Sequence, residues 1–119
     1  MTIASGAMLG IIQEAGNSIL ILTEGLEFAE FFSSRITQYE VVRQLKVMAD
    51  IINNFPFEHK QRMLEIDWET WAAISVELTK ADESIQEAIW FAVKSLVPAT
   101  LLWLRVFHKS SPELFSFVA

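Results

Sequence analysis

Apolar residues recur every three or four positions along almost all of this sequence, and no stretch alternates apolar with polar for long enough to build a sheet. A chain patterned in this way has to fold as packed helices. Met8, Ile11, Ile12, Ala15, Ile19 and Leu22 fall on one helical face. Gly25 stands where that helix should end, as a left-handed cap. Phe28, Phe31 and Phe32 form an aromatic cluster that suits one or two turns. Thr37 to Glu40 reads T-x-x-E, a capping box that predicts the start of the next helix. Its stripe is Val41, Val42, Leu45, Met48, Ala49 and Ile52. Asn53-Asn54-Phe55-Pro56 closes it, because asparagine tolerates the left-handed conformation and the residue before proline avoids the helical one. A short amphipathic piece runs from Phe57 to Leu64. Asp67 then caps a helix with Trp68, Trp71, Ala72, Ser75 and Leu78 on one side. Lys80 to Glu83 reads as a turn, and Asp82 or Ser84 opens the last long helix, whose stripe is Ile85, Ala88, Ile89, Ala92, Val93 and Leu96. Pro98 removes a backbone donor and predicts a kink or a break. The pattern resumes with Leu101, Trp103, Leu104 and Phe107.

These elements predict an all-α fold, an antiparallel four-helix-type bundle with short extra helices. With 119 residues the chain is expected to be one domain over residues 1–119. The last ten or so residues are left open between a loose tail and one docked on the body or on a second subunit. Apolar residues make up 52% and charged residues 20%, which excludes disorder and is more apolar than a small monomer needs. A surface that meets a partner is therefore expected. The absence of cysteine excludes a disulfide scaffold, a thiolate zinc site and a cysteine nucleophile. A net charge of −6 argues against a broad phosphate-binding face, so nucleic acid is not the expected partner. The stretch from Ala88 to Phe107 is mostly apolar, but Lys94, Pro98 and Arg105 interrupt it, so it is read as a core helix rather than a membrane span. No basic residue precedes the apolar part of the N-terminus, so no secretory leader is read and the cytoplasm is the expected compartment.

Few residues offer chemistry. His59 lies beside Lys60 and Arg62, and His108 follows Arg105; neither has a second ligand at metal spacing, so both read as solvated surface histidines. Glu24, Glu27 and Glu30 lack the Glu-x-x-His pairs of a di-metal bundle and read as a solvated acidic face. No metal or cofactor is expected. There is no nucleophile elbow, no Walker-type loop and no dinucleotide fingerprint. Tryptophans and phenylalanines at helical spacing read as core or interface anchors. Tyr39, the single tyrosine, reads as a surface residue.

With the helices placed, the segment from Ile19 to Leu104 resembles the HepT-like family of the HEPN superfamily. Those are prokaryotic helical bundles commonly encoded beside a small nucleotidyltransferase, MntA, as a toxin–antitoxin pair. The run Leu22-Thr23-Glu24-Gly25-Leu26-Glu27-Phe28, with Phe31 following, is similar to the family's "Y-T-x-G-x-x-x-x-x-F". Val41-Val42-Arg43-Gln44-Leu45 resembles "A-V-I-R-N-L", and Ala49-Asp50-Ile51 matches its "G-E-A" in position. Glu65-Ile66-Asp67-Trp68 resembles "P-x-I-x-W", Ile89-Trp90 its "V-W", and Val97-Pro98 its "L-P".

The family's ribonuclease activity rests on R-x(4–6)-H-x-Y, and its tyrosine is the residue that the nucleotidyltransferase modifies with AMP. Here the arginine and asparagine positions fall on Ser75 and Val76, the histidine position on Lys80 and the tyrosine position on Asp82, or, with the register shifted by one, on Thr79 and Ala81. Lysine supplies a cation but, with an ordinary pKa near 10.4, is a poor proton carrier. The resemblance thus implies a bundle with a degenerate site, acting through protein–protein contacts as a homodimer, with an MntA-like nucleotidyltransferase as the first partner to test. The alternative is a HEPN-type ribonuclease toxin with a displaced site, for which Lys80, Arg62 and His59 or His108 would have to converge.

Overall fold

A computed structural model describes residues 2–80 and 85–115. Among these the chain is helical throughout, with no strand: α1 (Thr2–Thr23), α2 (Phe28–Ser33), α3 (Arg35–Asn53), α4 (Phe57–Arg62), α5 (Trp68–Glu77), α6 (Ile85–Phe91), a π-helical turn (Ala92–Leu96), α7 (Val97–Ser110) and a 3-10 turn (Pro112–Phe115). The last long helix runs unbroken from α6 through the π turn into α7. α1 packs on α3, α3 on α5, α5 on α6, and α7 returns to α1, which closes a four-membered bundle. The fold is an all-α helical bundle, as the periodicity predicts.

The core runs through the middle of this ring. Leu9, Ile12 and Ile19 of α1 meet Val41, Leu45, Met48 and Ile52 of α3, Trp71 and Ile74 of α5, and Val93, Val97 and Leu104 of the last helix. The α3 stripe is as read from the sequence, except that Val42 is only half-buried. The α1 face is turned. Leu9, Ile12, Ala15, Ile19 and Thr23 are inside, while Ile11 and Leu22 are exposed. Small residues decide this. A Cβ on Gly16 would lie 2.7 Å from Leu101 Cδ2, so α7 comes down on the side that carries Ala15 and Gly16. In α5, likewise, Trp71, Ile74 and Leu78 are buried, whereas Ala72 is exposed and Ser75 half-buried.

Helix ends follow capping chemistry, with one shift of register. Ser34, not Thr37, is the N-cap of α3: its Oγ accepts from Thr37 N at 3.3 Å and donates to Thr37 Oγ1 at 2.9 Å. Glu30 closes the start of α2 by accepting from Glu27 N at 3.0 Å, a local task within what the sequence reads as an acidic face. Asp67 caps α5 as expected, accepting from Thr70 N at 3.1 Å. Gly25 has φ +75°, the left-handed geometry predicted for it. Asn54 reaches no such conformation (φ −102°) and instead donates from Nδ2 to Asp50 O at 2.8 Å. The proposed cap at Asp82 or Ser84 lies outside the described residues.

Pro98 neither breaks nor ends its helix. The turn before it widens to π geometry, in which Val97 N donates to Ala92 O, five residues back. That absorbs the missing donor and gives the ring room within a continuous helix. By length and composition two helices could cross a membrane, Gly6–Thr23 and Ile85–Ser110, with 39% and 44% of their windows buried in the bundle. The tail is docked as far as Phe115. Leu114 and Phe115 are buried against α1 and α7.

Candidate functional site: the groove between α3 and α5

α3 and α5 run antiparallel. Asn53 Nδ2 donates to Trp71 O at 3.4 Å near the end of α3, and one turn at a time the later residues of α5 face earlier ones of α3. Between them lies a groove of about 350 Å³ lined by Lys46, Ala49, Asp50, Ser75, Leu78 and Thr79. Ser75 sits there because Trp71 and Ile74, its neighbours on the helix, are held in the core. Trp71 is fixed further by its indole Nε1, which donates to Thr100 Oγ1 at 2.9 Å, and Thr100 donates onward to Leu96 O at 2.8 Å. This chain of buried hydrogen bonds ties α5 to the last helix and sets the wall on which Ser75 stands.

The four motif-equivalent positions separate. Ser75 lines the groove. Val76 turns outward and is 61% exposed. Lys80 stands beyond the end of α5, where its Nζ meets Glu77 Oε1 at 2.9 Å. Asp82 lies outside the described residues. The groove's ionisable groups are thus Lys46 and Asp50, joined by the hydroxyls of Ser75 and Thr79. Thr79 Oγ1 donates back to Val76 O at 2.6 Å, and Asp50 Oδ1 accepts from Asn54 Nδ2 at 3.3 Å. Neither an imidazole nor a guanidinium lines this groove. It offers one cation and one carboxylate, and no imidazole to carry a proton.

The set required for a displaced site is divided between two ends of the molecule. His59 and Arg62 belong to α4, which precedes the start of α5; Lys80 follows its end, about 15 Å away by the helical rise. Arg62 is engaged by Glu113, with Nη2 to Oε2 at 2.6 Å. His108 stacks on Phe115 with ring centroids 4.4 Å apart. The short turn Pro112–Phe115 therefore meets Arg62 through Glu113 and His108 through Phe115. His59 is not the solvated residue that its charged neighbours suggest. It is half-buried, its ring meets Phe55 edge-on at 5.9 Å, and its Nδ1 is buried with no hydrogen-bond partner among the described residues. The reason is that Phe55 and Trp68 stack beneath α4 and draw that face inward. His108 is exposed as expected. Among the described residues no cluster of histidine and carboxylate groups could hold a metal.

What the sequence reading missed is the environment of Ser75 on α3, namely Lys46 and Asp50; Thr79, the shifted-register position, does line the groove. The signal was available in part, since Lys46 and Asp50 are one turn apart on the edge of α3 that the apolar stripe leaves to one side.

No protein-family model matches the chain, and no solved structure matches it. Two curated proteins do. The chain is 28% identical over 89 residues to a protein of Thermococcus cleftensis named "Probable ribonuclease HepT", covering 74% of this chain and 81% of that one. It is 29% identical over 93 residues to a protein of Methanocaldococcus jannaschii named "Putative RNase MJ0127", covering 77% of each. The segment that carries the motif resemblance, Ile19 to Leu104, is of similar length. Over about three quarters of its length the chain is thus similar to two archaeal proteins, one of them named as a HepT ribonuclease, in agreement with the resemblance that its motifs carry.

Proposed function

We propose that this chain is a HepT-like binding scaffold that acts through protein contacts and does not cut RNA at the α3–α5 groove. One observation carries the reading: the groove that contains the motif-equivalent Ser75 has neither imidazole nor guanidinium. Cleavage there would need a proton carrier and a phosphate grip, and Lys46 supplies only a cation, with Asp50 beside it. The expected working form is a homodimer in the cytoplasm, and a nucleotidyltransferase of MntA type is the first heterologous partner to test. Purified protein should leave a single-stranded RNA substrate intact with and without divalent metal. Specific cleavage would overturn the proposal.

A second reading is favoured by both relatives, whose names describe ribonucleases. It requires a site built elsewhere in the molecule, and the Pro112–Phe115 turn, which holds Arg62 through Glu113 and His108 through Phe115, is where such a site would stand. On this reading RNA cleavage is measurable and falls in His108→Ala, Arg62→Ala or His59→Ala. Lys80→Ala reports separately on the motif-equivalent end.

A further inference from the structure

The nine basic residues of this acidic chain are unevenly shared. Lys60 and Lys94 lie over the rings of Trp68 and Trp90, at 5.4 and 4.8 Å from the centroids. Arg62 and Lys80 pair with Glu113 and Glu77. Three others gather on one face of α3. Arg35, Gln38, Tyr39, Val42, Arg43 and Lys46 follow one another at helical spacing and line an open depression of about 380 Å³. That volume falls within the range of small-molecule sites, and no carboxylate lines it.

The floor of the depression is fixed and its rim is charged. Val42 and Gln38 are half-buried, and the Gln38 amide is tethered, donating from Nε2 to Phe32 O at 3.0 Å and to Ser34 O at 3.3 Å. The Tyr39 ring stands above them, 74% exposed, so it does little for the core. Arg43 is held by Glu40, with Nε to Oε1 at 3.0 Å and Nη2 to Oε2 at 2.6 Å, which leaves its Nη1 for another acceptor. Among the described residues neither Arg35 nor Lys46 takes part in an ion pair. Tyr39 and Arg43 are four residues apart and Arg43 and Lys46 three, so a ring and two cations succeed one another at the spacing of neighbours on a helix face.

We propose that this depression binds a small phosphorylated ligand with a planar ring, of the nucleoside monophosphate class. The phosphate sits between Arg43 and Lys46, which supply charge-assisted hydrogen bonds. The ring lies on Tyr39 against Val42, one helical turn away, and Arg35 closes its far side. A nucleic-acid strand is the poorer occupant. Its successive phosphates would need the cations to continue along the surface, whereas beyond Lys46 the same edge of α3 passes to Asp50. A chain of net charge −6 can thus hold one phosphate group locally without offering a broad phosphate-binding face. The inference goes beyond the scaffold reading and stands apart from it, since neither protein contacts nor RNA cleavage enters it.

An NMR titration of the isotopically labelled full chain tests it. The probes are adenosine and uridine monophosphate, the parent nucleosides, inorganic phosphate and a short single-stranded RNA. Backbone signals of residues 35–46 are expected to shift saturably with a nucleoside monophosphate, with a Kd on the order of 0.1 mM that weakens as salt rises. Inorganic phosphate alone and nucleoside alone are each expected to bind about tenfold more weakly, or less well still. Arg43→Gln with Lys46→Gln should weaken mononucleotide binding by about tenfold or more. Tyr39→Ala should weaken it about tenfold while leaving the binding of inorganic phosphate as it is. Tyr39, Arg43 and Lys46 are exposed, so unchanged helical circular dichroism separates lost binding from a lost fold. Absence of saturable shifts at residues 35–46 overturns the proposal. So does an affinity indifferent to either variant, inorganic phosphate that binds as tightly as the mononucleotide, or binding by the RNA alone.

Discussion

Trp71 and Thr100 show how much of this molecule depends on single polar atoms in its core. Both are buried, and their hydrogen bond joins α5 to the last helix. Trp71→Phe removes the donor and some volume, and should cost about 1–3 kcal/mol in urea unfolding. Thr100→Val should cost about as much, because it leaves the indole N–H buried without an acceptor. The two changes together should cost less than their sum, since either one breaks the same bond. None of this was legible in the sequence. A tryptophan at helical spacing announces burial, but nothing in its neighbourhood names a threonine 29 residues away. Ser75 and Lys80, in contrast, were placed by register against the resembled motif, and the structure adds what surrounds them. A second residue-scale test concerns Glu113. The hydrogen bond from Arg62 holds its carboxyl below the ordinary value, with Arg62's charge adding to the effect. A lowered carboxylate stabilises the folded state above the unfolded pKa, and the contribution is lost as pH falls through the folded one. Titration by NMR should therefore find Glu113 ionised below the ordinary carboxylate midpoint, and Arg62→Ala should raise that midpoint. The pair is exposed, so its loss should hardly change the melting temperature at neutral pH.

Among elements, α1 and α7 meet at Gly16 with no free space for a side chain. Gly16→Ala gains helix propensity worth about 1 kcal/mol but places a Cβ against Leu101. Crowding of this kind costs about 1–3 kcal/mol, so the variant should be neutral to destabilised, and Gly16→Val clearly destabilised. Gly16→Val combined with Leu101→Ala should recover part of the loss, which a double-mutant cycle would show. The existence and order of the helices were legible because apolar periodicity is a strong local signal. The facing of α1 was not. Its apolar residues run almost all round, so the pattern allows more than one inward side, and a glycine that admits a neighbouring helix settles which. Helix starts erred for a related reason. T-x-x-E is a stronger signature than Ser34 before an arginine, yet the chain turns at Ser34, which ends α2 and caps α3 with the same extended backbone. Pro98 was correctly located as a disturbance, while its remedy, a wider turn, depends on the packing of Ala92, Val93 and Leu96 around it.

At the scale of the whole molecule, Pro112–Phe115 closes the bundle across α1 and α7. Leu114 is 2% exposed, so Leu114→Ala should cost about 2–5 kcal/mol by denaturant unfolding, far more than a change in a loose tail would. The sequence left this docking open, since three apolar residues near a terminus suit fraying and burial equally. The closure also bears on how the chain is made. The inner face of α1 is lined first by α3, but the lining is completed by α7 and the turn after it, nearly a hundred residues downstream. While the ribosome is still adding those residues, Leu9, Ile12 and Ile19 can be only partly covered, by α3. The earliest helix is thus the one whose burial is completed last, and its bare flank is where a chaperone would be expected to hold the nascent polypeptide.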